Sequence, residues 1–68
     1  MNIGRALRYY GRRSGLDRAE IAEKLQISKQ EYGKYEEGKR VPDIDLICGM
    51  AQAFGVTTDD FFAKAMGK

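Results

Sequence analysis

The sequence contains no histidine, one cysteine and one proline, and each shortage closes off a class of function. With a single thiol, Cys48, no internal disulfide can form, and a reducing intracellular compartment is the simpler setting. A zinc site needs at least three protein ligands, and one thiol among scattered carboxylates is not such a set, so no metal and no other cofactor are expected. No Ser or Cys has a histidine to activate it, and no glycine-rich phosphate loop is present, so the chain is not expected to be an enzyme. The adjacent Asp59 and Asp60 read as the acidic start of a helix rather than as an acid–base pair. No apolar run approaches the roughly 18 residues that span a bilayer. The N-terminal arginines are not followed by the apolar stretch of a signal peptide, and no membrane partner is expected.

What remains is a 68-residue chain that is 43% apolar and 32% charged. That is enough apolar content to fold and only enough length for one small domain, spanning 1–68. Formal net charge is +2, unevenly spread. The first forty residues carry +4, from Arg5, Arg8, Arg12, Arg13, Arg18, Lys24, Lys29, Lys34, Lys39 and Arg40 against six acids, and the remainder carries −2. This asymmetry suggests a basic face directed at a polyanion. A solvated surface with no partner is the other reading, and composition alone does not separate them.

The stretch Asp17–Glu36, DRAEIAEKLQISKQEYGKYE, predicts two short helices joined by a tight turn. Asp17 stands three residues before Glu20, and Ser28 three before Glu31, so both openings fit a capping box. Ile21, Ala22, Leu25, Ile27, Tyr32 and Tyr35 mark the apolar positions. Two helices this short cannot bury those positions against each other alone, so the flanks must supply the remaining walls. Upstream, Ile3, Leu7 and Tyr10 predict a first helix from about Asn2, its N-cap, to Ser14, stopped by Gly15. Arg5, Arg8 and Arg12 lie off that apolar stripe. Gly11 inside the helix is expected to mark close packing. Downstream, Gly38 and Pro42 break the pattern. Asp43 then caps a fourth helix with Ile44, Ile47, Ala51 and Phe54 on one face, ended by Gly55. Thr57, with Asp60 three later, caps a fifth that carries Phe61, Phe62 and Met66. The fold class is therefore all-α, a compact five-helix bundle.

This order of features resembles the lambda-repressor-like, Cro-type (XRE family) helix-turn-helix domain over nearly the whole chain. The matching residues are Gly15-Leu16, Ile21-Ala22-Glu23-Lys24-Leu25, Ile27-Ser28, Tyr35-Glu36, Gly38-Lys39-Arg40, Pro42 and Ala51-Gln52-Ala53-Phe54-Gly55-Val56. Each is weak evidence alone, and their joint spacing is strong. The resemblance implies a helix-turn-helix pair at about 17–36 whose second helix enters the major groove of double-stranded DNA. By position, Lys29, Gln30, Gly33 and Lys34 would face bases. Gln30 is suited to an adenine edge, and Lys29 or Lys34 to guanine O6 and N7. Arg18, Ser28, Lys39 and Arg40 would meet phosphates, fixing register without reading sequence.

Three positions depart from the family pattern. Gln26 stands where the family has Gly, so either a positive φ is strained there or the turn is helical. Gly33 removes a side chain from the reading helix, and Glu37 places negative charge where a phosphate is expected. Glu36 in the family pairs with a base of the first helix. The usual partner position is Gly11 here, leaving Arg8 or Arg12 as substitutes.

The resemblance thus implies a sequence-specific transcriptional regulator, a repressor or controller. It would bind a DNA operator as a homodimer in a bacterial cytoplasm, associated with the nucleoid, or be encoded by a phage. Leu46, Phe61, Phe62 and Met66 exceed what one small core needs and are candidates for the dimer interface; a packed C-terminal helix in a monomer is the alternative. Cys48 reads as a small, half-buried hydrophobe. The second functional expectation is a protein-interaction module on the same scaffold, antirepressor or antitoxin-like, favoured by Gly33, Glu37 and the low net charge.

Overall fold

Each helix begins where a polar side chain accepts a hydrogen bond from the backbone N–H three residues on, satisfying one of the donors that a helix start leaves open. In the computed structural model, which describes residues 1–67, Asn2 accepts from the Arg5 N–H at 3.1 Å and opens α1, Ile3–Ser14. Asp17 accepts from the Glu20 N–H at 2.8 Å, Glu20 accepts from the Asp17 N–H at 3.1 Å, and this complete capping box opens α2, Arg18–Leu25. Ser28 accepts from the Glu31 N–H at 3.0 Å to open α3, Lys29–Glu36. The second box expected from the sequence is therefore a half-box, since no return bond from the Glu31 side chain forms. Asp43 opens α4, Ile44–Phe54, and Thr57 opens α5, Thr58–Ala65, each in the same way.

Three helices end in one motif. After α2 the Ile27 N–H donates to the Ala22 carbonyl and the Gln26 N–H to the Glu23 carbonyl. The same pair of bonds follows α3 through Lys39 and Gly38, and α4 through Val56 and Gly55. These are Schellman endings, which need a residue in the left-handed region at the second donor's position. Gly38 and Gly55 take it at φ 77° and 71°. Gln26 takes it at φ 59°, ψ 39°, and is the one non-glycine residue at positive φ among those described. The turn between α2 and α3 is thus not helical: Gln26 bears the strain, because the Schellman bonds fix the backbone there.

Tyr32, Phe61, Leu7 and Met50 are completely buried, and Ile3, Ala6, Ile21, Ala22, Tyr35, Ile47, Ala51 and Ala65 complete the centre. Leu25, Ile27 and Phe54 close it from the edge. On α4 the sequence expectation needs correction, because Ile44 is 60% exposed. Met50, completely buried, turns the buried arc of α4 away from Ile44. Tyr10 stacks on Phe54 and Phe61, with centroids 5.9 and 6.0 Å away, and donates its hydroxyl to the Asp60 carbonyl at 3.1 Å, tying α1 to α4 and α5.

The close approach expected at Gly11 occurs at Gly4 instead. A methyl group on Gly4 would overlap the Glu36 carbonyl oxygen. On Gly11 it would meet Ile21 at 3.7 Å and Tyr32 Oη at 3.8 Å, ordinary contact distances. Gly4 lets the start of α1 lie against the end of α3, where Arg8 Nη1 donates to the Glu36 carbonyl at 2.5 Å. The start of α1 and the end of α5 also meet, the Asn2 N–H donating to the Ala65 carbonyl at 2.8 Å.

Candidate nucleic-acid interface

Lys29, Gln30 and Lys34 are exposed along the outer side of α3, because Tyr32 and Tyr35 commit the opposite side to the core. Gly33 lies between them, with open space where a side chain would stand. Arg18, from the first turn of α2, and Lys39, from the loop after α3, border the same shallow cleft of about 510 Å³. Glu37 is the acid on its rim. Lys39 Nζ lies 3.7 Å from Glu37 Oε2 with both groups largely in solvent, so this contact holds the lysine only weakly. Residues up to 21 positions apart in sequence, from 18 to 39, are thus gathered around one helix face.

The remaining candidates sit elsewhere. Ser28 is exposed at the entrance of α3, its oxygen engaged by the Glu31 N–H. Arg40 lies around the corner, in a separate cleft with Met1, Asn2, Tyr35 and Val41. Of the proposed dimer contacts, Phe61 is 0% exposed and cannot serve without unfolding the core it fills. Leu46 and Phe62 are half-buried against that core, and Met66 is 61% exposed. Val41, which sequence reasoning did not single out, is an exposed apolar residue like Ile44. Cys48 is half-buried and free, as expected.

The ion pair of Glu36 was not legible in the sequence. Its partner is neither Arg8 nor Arg12 but Arg18, with Nη2 2.6 Å from Oε1. Gly11 leaves room for this. Arg8, Gly11, Arg12, Leu16, Asp17, Arg18, Ile21 and Glu36 line an open cleft of about 470 Å³ that three arginines share with the half-buried Glu36. Beneath Gly11 lies Tyr32 Oη, completely buried and without a hydrogen-bond partner. Burial, reinforced by the negative charge of Glu36, pushes the Tyr32 phenol well above its ordinary range. The carboxylate acts through its charge, since no bond to the hydroxyl closes. Tyr10 is raised as well, first by burial and then by the charge of Asp60.

Among known proteins, the chain is 31% identical over 64 residues to the HTH-type transcriptional regulator ImmR of Bacillus subtilis, covering 94% of this chain and 50% of that protein. It is 40% identical over 45 residues to the SPbeta prophage-derived uncharacterized HTH-type transcriptional regulator YonR of Bacillus subtilis, covering 66% of this chain and 42% of YonR. It therefore spans half or less of these two relatives. An uncharacterized HTH-type transcriptional regulator of Methanocaldococcus jannaschii, MJ0272, is nearer in length: 36% identity over 56 residues covers 82% of this chain and 85% of that one. The crystal structure of the clp gene regulator ClgR from C. glutamicum superposes with a TM-score of 0.91 at 26% identity, over 97% of this chain and 86% of that one. The profile of the helix-turn-helix family matches residues 7–61, a span that takes in both α2 and α3 with the turn at Gln26. The chain belongs to the helix-turn-helix family.

Proposed function

We propose that this chain is a sequence-specific DNA-binding transcriptional regulator that lays α3 in the major groove. The observation that carries the reading is the single cleft along α3, where Lys29, Gln30 and Lys34 stand exposed between two phosphate-seeking cations, Arg18 and Lys39. Gln30 is the base reader, with an amide suited to an adenine edge, and Lys29 and Lys34 reach guanines or phosphates. Arg18, Lys39, Ser28 and, at the margin, Arg40 set the register. The relatives named as transcriptional regulators support the same role. Residues 1–68 act as one domain in a cytoplasm. A homodimer would place two reading helices about 34 Å apart on a partly palindromic operator, with Met66, Leu46 and Phe62 as contacts and Phe61 excluded.

Selection of bound fragments from random duplex DNA at about 50 mM salt, followed by sizing of the complex, tests the reading. Gln30→Ala should lose discrimination between selected and random duplexes, while Arg18→Ala weakens both alike and lowers the salt slope by roughly one. Absence of any duplex binding at that salt would favour the second reading, a protein-interaction module. Its supporting observation is that Arg18 is already engaged by Glu36 while Glu37 lies on the rim of the cleft.

A further inference from the structure

α1 carries four arginines and no acid in its twelve residues. Since Ile3, Gly4, Ala6 and Leu7 face inward, Arg5, Arg8 and Arg12 recur on the outer side with Tyr9 beside them. Lys64 of α5 joins them around a cleft of about 300 Å³. None of these four cations takes part in an ion pair among the described residues. The fold explains Arg8, through the Glu36 carbonyl, but gives no use for the guanidinium groups of Arg5 and Arg12.

We propose that this outer face of α1, with Lys64, is a second duplex-binding surface that takes the phosphate backbone flanking the segment met by α3. The inference rests on the DNA-binding reading above. Its first support is continuity. Arg18 borders both the cleft along α3 and the one beneath Gly11, and Arg8 and Arg12 border that second cleft and the one on α1. The cations therefore form a run from α3 across to α5, with Asp17 and Glu36 as the acids of its middle cleft. Its second support is spacing. Arg5 to Arg12 covers seven residues, about 10 Å of helix, which matches the rise of about three phosphates along one strand. Its third support concerns what the surface does not offer. An acidic peptide would need an apolar socket to anchor a side chain, and the aromatic ring here, Tyr9, is flanked by two cations and is 36% exposed. Lys64 Nζ stands 4.2 Å and the Arg13 guanidinium carbon 5.3 Å from the centre of the Tyr9 ring. A row of exposed cations with no acid among them suits a regular polyanion.

The test uses duplexes selected by the wild type, in two forms: trimmed to the selected site, and extended by about one helical turn on each side. The protein is the whole chain and its Arg5→Gln/Arg12→Gln variant, whose melting curve is recorded first. Glutamine is nearly as good a helix former as arginine, and both positions are exposed, so the variant should melt like the wild type. The wild type should bind the extended duplex more tightly, and the variant should lose that gain, roughly ten-fold at about 0.1 M salt, with the salt slope smaller by nearly two. On the trimmed duplex the two proteins should bind alike. Equal binding of the variant to the extended duplex, or an equal loss on both, overturns the proposal. If the wild type binds the trimmed duplex in a Gln30-dependent way but gains nothing from flanks, the second surface fails and the α3 reading stands. If it binds neither, both fail together.

Discussion

Arg18 Nη2 lies 2.6 Å from Glu36 Oε1, so the cation best placed to meet a phosphate beside α3 is held by an acid of the same chain. Arg18 is half in solvent while Glu36 is 13% exposed, and such a pair contributes no more than about 1 kcal/mol to stability. Its larger effect is on binding, because a phosphate competes with the carboxylate for one guanidinium. Glu36→Gln should therefore tighten duplex binding several-fold at low salt and shift the unfolding midpoint little, measured by fluorescence titration and by urea unfolding. Unchanged affinity would mean that Arg18 reaches phosphate without leaving Glu36.

Gln26 occupies the left-handed position of a Schellman ending that two glycines fill elsewhere in the chain. The left-handed conformation costs a residue with a Cβ about 1–2 kcal/mol, partly offset by the greater freedom glycine has in the unfolded chain. Gln26→Gly should raise stability by about 0.5–1 kcal/mol, a gain of several degrees in melting temperature for a domain of this size. A lower melting temperature would show that the glutamine side chain has a stabilising role of its own.

Gly4 and Gly33 should respond to alanine with opposite signs. At Gly4 the methyl meets the Glu36 carbonyl, so Gly4→Ala forces α1 away from α3 and should cost about 1–3 kcal/mol. At Gly33 the methyl enters open space on a helix, and Gly33→Ala should stabilise by about 0.5–1 kcal/mol. Calorimetry of the two variants gives both signs. In DNA binding the Gly33→Ala methyl would stand between Gln30 and Lys34, so weaker duplex binding by a more stable protein would locate the groove at that point.

The Tyr32 phenol has a folded-state pKa above its unfolded value of 10.0. Folding thus favours its protonated form, and the associated stability is complete below about pH 10 and declines as the pH rises further and the unfolded chain ionises. Tyr32→Phe should remove this part of the alkaline loss, leaving a smaller slope from Tyr10, whose value is raised too. Near neutral pH the same variant should differ from wild type by less than about 1 kcal/mol, because the hydroxyl it removes has no partner. Urea midpoints for both proteins at about pH 8 and about pH 10.5 give the comparison.

How much of this molecule is written in its sequence depends on how local the chemistry is. Asn2, Asp17, Ser28, Asp43 and Thr57 were recognisable as caps because each acts on a backbone N–H three residues away. The stops at Gly15, Gly38 and Gly55 were equally plain. What escaped depends on where helices cross. Ile44 repeats with Ile47 and Ala51 yet faces solvent, while Met50 takes the buried place on α4. Phe61 looked like surplus apolar area and is instead at the centre. Gly11 faces the side-chain tips of Ile21 and Tyr32, whereas Gly4 faces the backbone of Glu36. In the candidate interface, the exposed side of α3 followed from its two buried tyrosines. The capture of Arg18 by Glu36 needed α2 and α3 to be in place, since 18 residues separate the partners in sequence.

The hydrogen bond from Asn2 to Ala65 has a topological consequence. A domain whose first and last turns are bonded to each other is nearly a closed ring, so its polypeptide can be joined there and reopened elsewhere. A circular permutant linked by a few glycines and cut within the exposed Gly38–Val41 loop should retain the five-helix fold. By the same geometry, segments fused to the two ends would leave from one spot, held side by side.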